Sequence, residues 1–138
     1  MSESKRESLK RRVLTAPFME FSINEEVEKL RKEPAWLKGD RNAVTLQKDS
    51  NLRVVLTSLR KGTTLHEHKV VGPITLFVLS GKLNFTVGLE KVSVRANEFI
   101  VLEKAIPHNV EALEDVAFIL TLIRPQQHIE INQKELKD

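Results

Sequence analysis

The sequence predicts an all-β domain, a sandwich or barrel, with one short helix on its N-terminal side. Strand patterns occupy residues 42–123 with no second helical segment among them. Turn residues interrupt this region at short intervals, as in Lys61-Gly62, Gly72-Pro73 and Ser80-Gly81. Many short strands at such spacing favour an all-β sandwich or barrel over alternating βαβ units.

The length of 138 residues suits a single domain with its own core. We expect a mobile basic tail over residues 1–18, the domain with its flanking helix over 19–124, and a polar tail over 125–138. Hydrophobic residues make up 41% of the chain and charged residues 30%, as in soluble globular proteins. No apolar run approaches the roughly 18 residues that span a bilayer, which excludes a transmembrane helix.

The chain has no cysteine, which excludes disulfides, cysteine-ligated zinc, iron–sulfur clusters and thiol nucleophiles. A reducing cytoplasm is the simplest location for such a protein. Residues 1–12 are basic but lack the apolar stretch of a secretory signal. This cluster could contact phosphates, but we interpret it as a solvated terminus, and aromatic residues are too few to predict nucleic acid as a partner.

A short helix is expected to begin near Ser22. Ser22 and Glu25 have the spacing of a capping box, and Pro34 is expected to close the helical segment. Val27 and Leu30 form a narrow apolar stripe, so we expect the helix to lie against the outside of the β domain. A helix that binds a partner protein is the alternative interpretation.

The strands fall into two classes. Residues 82–87 and 91–95 alternate polar and apolar side chains around a predicted hairpin loop, Gly88-Leu89-Glu90, and so have one wet face. Residues 53–56, 74–79 and 116–123 are apolar on both faces. We therefore expect them in the middle of the sandwich or under a covering segment.

Three of the four histidines are candidates for one metal site. Side chains alternate along a strand, so His66 and His68 are predicted to project from one face about 6.6 Å apart, with Glu67 on the other. His108 follows 40 residues after His68 and would complete a three-histidine set if its strand returns to this pair. His128 lies in the polar tail, where we expect a surface position.

These residues resemble the two motifs of the cupin family, over about residues 53–122. Gly62, His66-Glu67-His68 and Gly81 resemble the first motif, and Glu98–Leu102 with Ile106-Pro107-His108 resembles the second. The resemblance implies a cupin jelly-roll barrel, a double-stranded β-helix, in which His66, His68 and His108 bind a metal. It also implies a barrel pocket that Ile74, Leu76 and Val110 line. The segments 33–36, 39–46 and 72–75 are similar to those of small bacterial cupins of unassigned activity.

The sequence departs from the family pattern at several positions. Ile74 stands seven residues before Gly81, where the family has a glutamate ligand. Asn97, Glu103 and Ala105 replace the usual glycine, proline and glycine. The spacing from Gly62 to His66 is also two residues short. These changes leave the barrel intact and put full metal affinity in doubt.

Two functions follow from this pattern. In the first, one divalent ion of Zn, Fe, Mn or Ni binds the three imidazoles, keeps open positions, and takes a small anionic ligand such as a carboxylate. An enzyme of this kind would be an oxygenase or isomerase, although Glu103 is the sole candidate acid or base we identify. In the second, the barrel is metal-free and serves as a small-molecule-binding or interaction module.

A homodimer formed through edge strands is compatible with either function. The predicted partners are therefore a small-molecule ligand and a second copy of the chain. The substrate and the reaction do not follow from the sequence, because one barrel hosts many chemistries.

Overall fold

The computed structural model describes residues 17–68 and 71–124, with every side chain in these ranges except those of Glu67 and His68. The predicted basic tail, apart from its last two residues, and the predicted polar tail with His128 lie outside the described residues. The predicted domain boundaries therefore stay predictions. In the described part of the chain, no helix is long and apolar enough to cross a membrane.

Two helices precede the strands. Helix α1, Ile23–Leu30, begins after Ser22 as predicted, although the Ser22 side chain makes no capping hydrogen bond. Helix α2, Pro34–Leu37, is an addition to the single helix that we expected. Pro34 does not close the first helix but occupies the first turn of the second, where its missing N–H costs nothing.

Nine strands follow in the described residues, all paired antiparallel: β1 Arg41–Lys48, β2 Leu52–Leu59, β3 Thr64–His68, β4 Ile74–Ser80, β5 Lys82–Val87, β6 Glu90–Arg95, β7 Phe99–Leu102, β8 His108–Ala112 and β9 Val116–Ile123. They form a five-stranded sheet in the order β1-β2-β9-β4-β7 and a four-stranded sheet in the order β3-β8-β5-β6. The predicted hairpin is present, with β5 paired to β6 from Lys82–Arg95 to Val87–Glu90. This architecture confirms the predicted all-β jelly roll.

The space between the two sheets holds the main core, which we call the inner cluster. Both sheets contribute to it: Leu59, Leu76, Val78, Leu83, Phe85, Val94, Val110, Ala112, Val116 and Phe118 are its buried members. Each is at most 3% exposed. Because side chains alternate along a strand, β4, β5, β8 and β9 each send alternate residues into this cluster.

A second core, the outer cluster, lies on the opposite face of the five-stranded sheet. Its buried members are Leu30 of α1 and Val44, Leu46 and Leu56 of β1 and β2. Phe21, Val27 and Ile119 pack against it. The helix therefore covers the sheet as predicted, which explains why β2 and β9 are apolar on both faces.

Arginine side chains join the helices to the barrel. Arg60 lies over the Trp36 ring with its guanidinium carbon 4.1 Å from the ring centre, and Arg31 lies 5.0 Å from it. Arg31 donates from Nε to the Ser58 hydroxyl at 2.9 Å. Burial of the Arg31 guanidinium lowers its pKa. These contacts connect α2 and the segment after α1 to strand β2.

Several turns contain a residue in the left-handed backbone conformation, with positive φ. Gly81, between β4 and β5, has φ +82°, and an added Cβ would lie 2.1 Å from the Asp115 carbonyl oxygen. Only glycine fits such a close approach. Asn97 and Ala105 also have positive φ, at 71° and 59°. These two stand where the resemblance led us to expect glycine, so the turn geometry is kept without it.

Candidate metal centre

Strands β3 and β8 bring two of the three predicted ligands opposite each other. Leu65 pairs with Val110, and His68 pairs with His108. Between these two pairs, β3 contains one more residue than β8, so the register shifts. This bulge is what places the backbone of His68 directly across from that of His108. The strand of His108 therefore returns to β3, as the prediction required.

His108 is the best-defined group of the site. Its side chain is 3% exposed, and its ring stacks on Phe85 with centres 5.4 Å apart and planes 17° from parallel. Nδ1 lies 3.1 Å from the Ile106 carbonyl oxygen. Because a carbonyl only accepts, Nδ1 carries the proton and donates it, and a neutral ring then has its lone pair on Nε2.

His66 has a different environment. Its side chain is exposed, and the preceding residue, Leu65, packs against the inner cluster. The prediction that His66 and His68 share one face relied on regular alternation, and the bulge interrupts that alternation between Leu65 and His68. The role of His66 as a ligand stays a prediction.

The complete three-histidine set also stays a prediction. Among the described side chains, no three His, Asp or Glu residues lie close enough together to hold a metal ion. The side chain of His68 is not among those described. Of the predicted ligands, His108 is the one whose side chain is described in the interior, and its Nδ1 makes a hydrogen bond to a backbone carbonyl, as metal-binding histidines commonly do.

The three predicted pocket residues are all buried. Ile74 and Leu76 of β4 are each 1% exposed and Val110 of β8 is 3% exposed. Leu76 and Val110 belong to the inner cluster, and Ile74 lies between Leu102 and Leu122 on the neighbouring strands. They lie in the interior of the barrel, and their role in lining a pocket stays a prediction.

Two groups that position His108 were not predicted. Phe85 provides the stacking surface, and the backbone of Ile106 provides the carbonyl acceptor. The alternation of β5 predicts that Phe85 faces inward, so the first could have been found. The second depends on the loop conformation around Ala105, which no sequence pattern reports. Glu103, the candidate acid or base, is exposed in that loop.

A comparison of the sequence with known protein families agrees with this barrel fold. Residues 55–124, just over half of the chain, match the family model described as Cupin domain. A comparison with curated proteins gave no match.

Three solved structures with the same fold illustrate the range of sequence identity and of coverage. A conserved protein of unknown function from Streptococcus pyogenes is 22% identical, with a TM-score of 0.62 over 82% of this chain and 92% of that one. A cupin 2 conserved barrel domain protein from Leptotrichia buccalis is 31% identical, with a TM-score of 0.60 over 63% of this chain and 42% of that one. A salicylate 1,2-dioxygenase from Pseudoaminobacter salicylatoxidans is 13% identical, with a TM-score of 0.66 over 75% of this chain and 34% of that one.

Proposed function

The chain belongs to the cupin family, and we propose that it binds one divalent transition metal ion between β3 and β8 and presents it to a small anionic ligand. The ligands we propose are His108, His68 and His66. The observation that carries the proposal is the state of His108, which is buried and donates from Nδ1 to the Ile106 carbonyl oxygen.

This hydrogen bond prepares the ring for a metal. It fixes the tautomer and the ring plane, and it makes Nε2 the nitrogen with the lone pair. Stacking on Phe85 restricts the ring further. In a neutral imidazole that donates from Nδ1, Nε2 is the nitrogen that would bind a cation.

The register of β3 supports a second ligand. Residues directly opposite each other in an antiparallel pair lie on one face of the sheet with Cβ atoms about 4.5–5.5 Å apart. The backbones of His68 and His108 are paired in this way. Two imidazoles at this separation are close enough to share one ion, because each Zn–N bond is about 2.0–2.1 Å long. The third ligand, His66, requires the exposed end of β3 to turn toward the ion.

An anionic ligand follows from the charges around the site. Of the described titratable side chains, Glu26 and His108 are buried, and Glu26 belongs to α1 on the outside of the sheet. Ile74 contributes no charge where the family pattern has glutamate. A divalent ion on neutral imidazoles keeps its full charge, favours anions and lowers the pKa of bound water. A small carboxylate with two oxygen donors suits such a centre.

A metal-free barrel is the second candidate, and the burial of Ile74 favours it. Ile74 is 1% exposed between leucines, and Leu76 and Val110 continue the same apolar interior. In this case His108 would be a hydrogen-bonding group at the end of an apolar pocket. The ligand would then be a small, largely apolar molecule.

Metal content separates the two candidates. Protein is purified without a histidine tag and without added metal, analysed for bound elements, and unfolded thermally with Zn, Fe, Mn or Ni added in turn. A true site at hundredfold excess of metal over its dissociation constant stabilises the fold by about 2.7 kcal/mol. Less than about a tenth of an equivalent of any metal, with no thermal shift for any of them, contradicts the proposal.

The His108→Ala and His68→Ala variants test the placement of the site. We expect each to abolish the thermal shift caused by metal, because each removes a nitrogen ligand. His128→Ala is the matched control and should keep the full shift. Circular dichroism confirms that each variant is folded before metal is added. Equal losses in all three variants would mean that the ligands are placed wrongly.

A further inference from the structure

We propose that a basic cleft at the mouth of the barrel binds a carboxylate group of the barrel's ligand through Arg53, and that the ligand is a small dicarboxylate. The inference rests on the proposed function, because it takes the barrel interior as the place where the ligand binds and the metal as the partner of the second carboxylate. We call this cleft the rim cleft. Its lining residues are Lys48, Asp49, Leu52, Arg53, Leu122 and Arg124.

The rim cleft lies at the same end of the barrel as the proposed metal site. Gly81 alone joins the end of β4 to the start of β5, and the start of β5 pairs with the end of β8 at Ala112. The other ends of β4 and β8, at Ile74 and His108, therefore lie together at the opposite end of the barrel. Ile74 pairs with Leu122, which lines the rim cleft.

The strand register directs Arg53 toward the interior. Arg53 pairs with Leu122, and Leu122 pairs with Ile74, so the three side chains share one face of the sheet. Ile74 pairs in turn with Leu102, which packs against the inner cluster. Val54, the next residue in β2, packs against the outer cluster on the other face. Arg53 is therefore a partly buried cation in the last row of the inner face.

Three cations and one carboxylate line the rim cleft. Lys48, Arg53 and Arg124 make no side-chain ion pair or hydrogen bond with any residue in the described part of the chain. Asp49 is engaged in the turn between β1 and β2, where its Oδ1 accepts hydrogen bonds from two backbone N–H groups at 3.0 Å. The described lining has an excess of positive charge, which favours an anion.

The size of the cleft and the residues beside it define the ligand. The cleft has a volume of about 30 Å³, which is room for a head group, whereas sites for whole small molecules measure about 300–1,000 Å³. A guanidinium binds a carboxylate through two parallel hydrogen bonds. Beside the cleft, Leu122 and Ile74 offer apolar surface that suits a methylene chain. The second carboxylate is the anionic group that the proposed metal centre takes.

Titration with glutarate, followed in ¹H–¹⁵N spectra, tests this inference. Monomethyl glutarate is the matched probe, because it has the same carbon chain and one carboxylate fewer. In protein with one equivalent of Zn²⁺, we expect the backbone amide signals of Arg53 and Leu122 to shift. Glutarate should bind at least about tenfold more tightly than the monoester, as for one charge-assisted hydrogen-bonded pair. In chelator-treated protein this ratio should fall towards one, because either probe can place a carboxylate at Arg53.

Three variants make the result specific. Arg53→Gln should weaken glutarate at least about tenfold with and without Zn²⁺. Lys48→Gln, at an exposed position of the same cleft, should weaken it by about two- to fivefold and also tests the cleft if Arg53→Gln does not fold. Arg95→Gln is the matched control, because Arg95 is exposed on β6 and pairs with the start of β5, at the other end of the barrel. It should leave the affinity unchanged.

The outcomes separate this inference from the metal proposal. Equal effects of Arg53→Gln and Arg95→Gln, or no saturable binding of glutarate at tens of millimolar, would overturn the rim cleft. Equal affinity of the two probes in Zn²⁺-loaded protein would overturn the dicarboxylate. Binding of glutarate that depends on Arg53, in protein that takes up no Zn²⁺, would support the rim cleft and contradict the metal centre alone.

Discussion

At the scale of single residues, Ile74 is the position at which the two proposed functions differ most. It is 1% exposed, and its neighbours across β7 and β9 are Leu102 and Leu122. An ionised carboxylate at this position would be buried between two leucines, where a bound cation would stabilise it. The apolar side chain therefore stabilises the metal-free barrel. In exchange, the proposed metal site lacks the negatively charged ligand that a glutamate would provide.

Substitution of Ile74 by glutamate is expected to reverse this balance. Without metal, Ile74→Glu should lower the free energy of unfolding by several kcal/mol, because the carboxyl group is buried. With Zn²⁺ it should recover most of that loss and bind the ion more tightly than the unchanged protein. Chemical denaturation with and without Zn²⁺ measures both effects. Ile74→Gln is the uncharged control and should recover much less; equal recovery would show that residue 74 does not face the ion.

Ala105 has a left-handed backbone conformation, with φ 59°, in the loop that leads to His108. This conformation costs a residue with a Cβ atom about 1–2 kcal/mol, and glycine adopts it without that cost. We expect Ala105→Gly to stabilise the protein by about 0.5–1 kcal/mol, after allowing for the greater freedom of glycine in the unfolded chain.

Ala96→Gly is the matched control, because Ala96 is also exposed in a turn but does not have positive φ. It should destabilise the protein by about 0.5–1 kcal/mol. Both values come from urea unfolding. Destabilisation by both substitutions would contradict the strain that we attribute to Ala105.

For single residues, the strand to which a residue belongs was more predictable than the contacts and exposure of its side chain. His108 was expected to lie next to the His66-Glu67-His68 segment, and it begins the strand that pairs with it. Its hydrogen bond to Ile106 depends on a loop, and loop conformations leave no periodic signal. The exposure of His66 was not predicted, because the argument assumed regular alternation.

At the scale of elements, α1 is part of the domain rather than an appendage. Leu30 is fully buried in the outer cluster, while Leu37 of α2 is 63% exposed. Leu30→Ala should cost about 2–5 kcal/mol of unfolding free energy, and Leu37→Ala should change it by less than about 0.5 kcal/mol. Thermal or urea unfolding of both variants checks this. Similar, small effects would mean that the helix does not contribute to the core.

The strands were predictable to the extent that their side chains alternate or form apolar runs. Strand β5 matches its predicted bounds, and β9 does so as well. The three bulges, in β1, β3 and β4, were not predictable, because one extra residue in a strand leaves no mark on composition. The bulge in β1 placed Gln47 on the outer face, and the bulge in β3 placed His68 opposite His108. Helix α2 was missed because Pro34 was interpreted as an end rather than a start.

At the scale of the whole molecule, the homodimer stays a prediction, and β7 is the edge that suits it. β7 is the last strand of the five-stranded sheet and exposes Phe99 by 56% and Val101 by 69%. Sedimentation equilibrium should show a dimer that Val101→Lys converts to monomer, because a charge would enter an apolar contact. Leu89→Lys, in an exposed hairpin loop, should leave the dimer intact. A monomeric unchanged protein would contradict the prediction.

The most direct test of the central claim, that His108 is a metal ligand in the barrel, is the imidazole ¹⁵N spectrum of labelled protein with and without Zn²⁺. Without metal, Nδ1 of His108 should be protonated, in agreement with its bond to the Ile106 carbonyl oxygen. With Zn²⁺, its Nε2 signal should shift together with those of His66 and His68, while Nδ1 stays protonated and His128 stays unchanged. An unchanged Nε2 signal of His108 at saturating Zn²⁺ would contradict the claim.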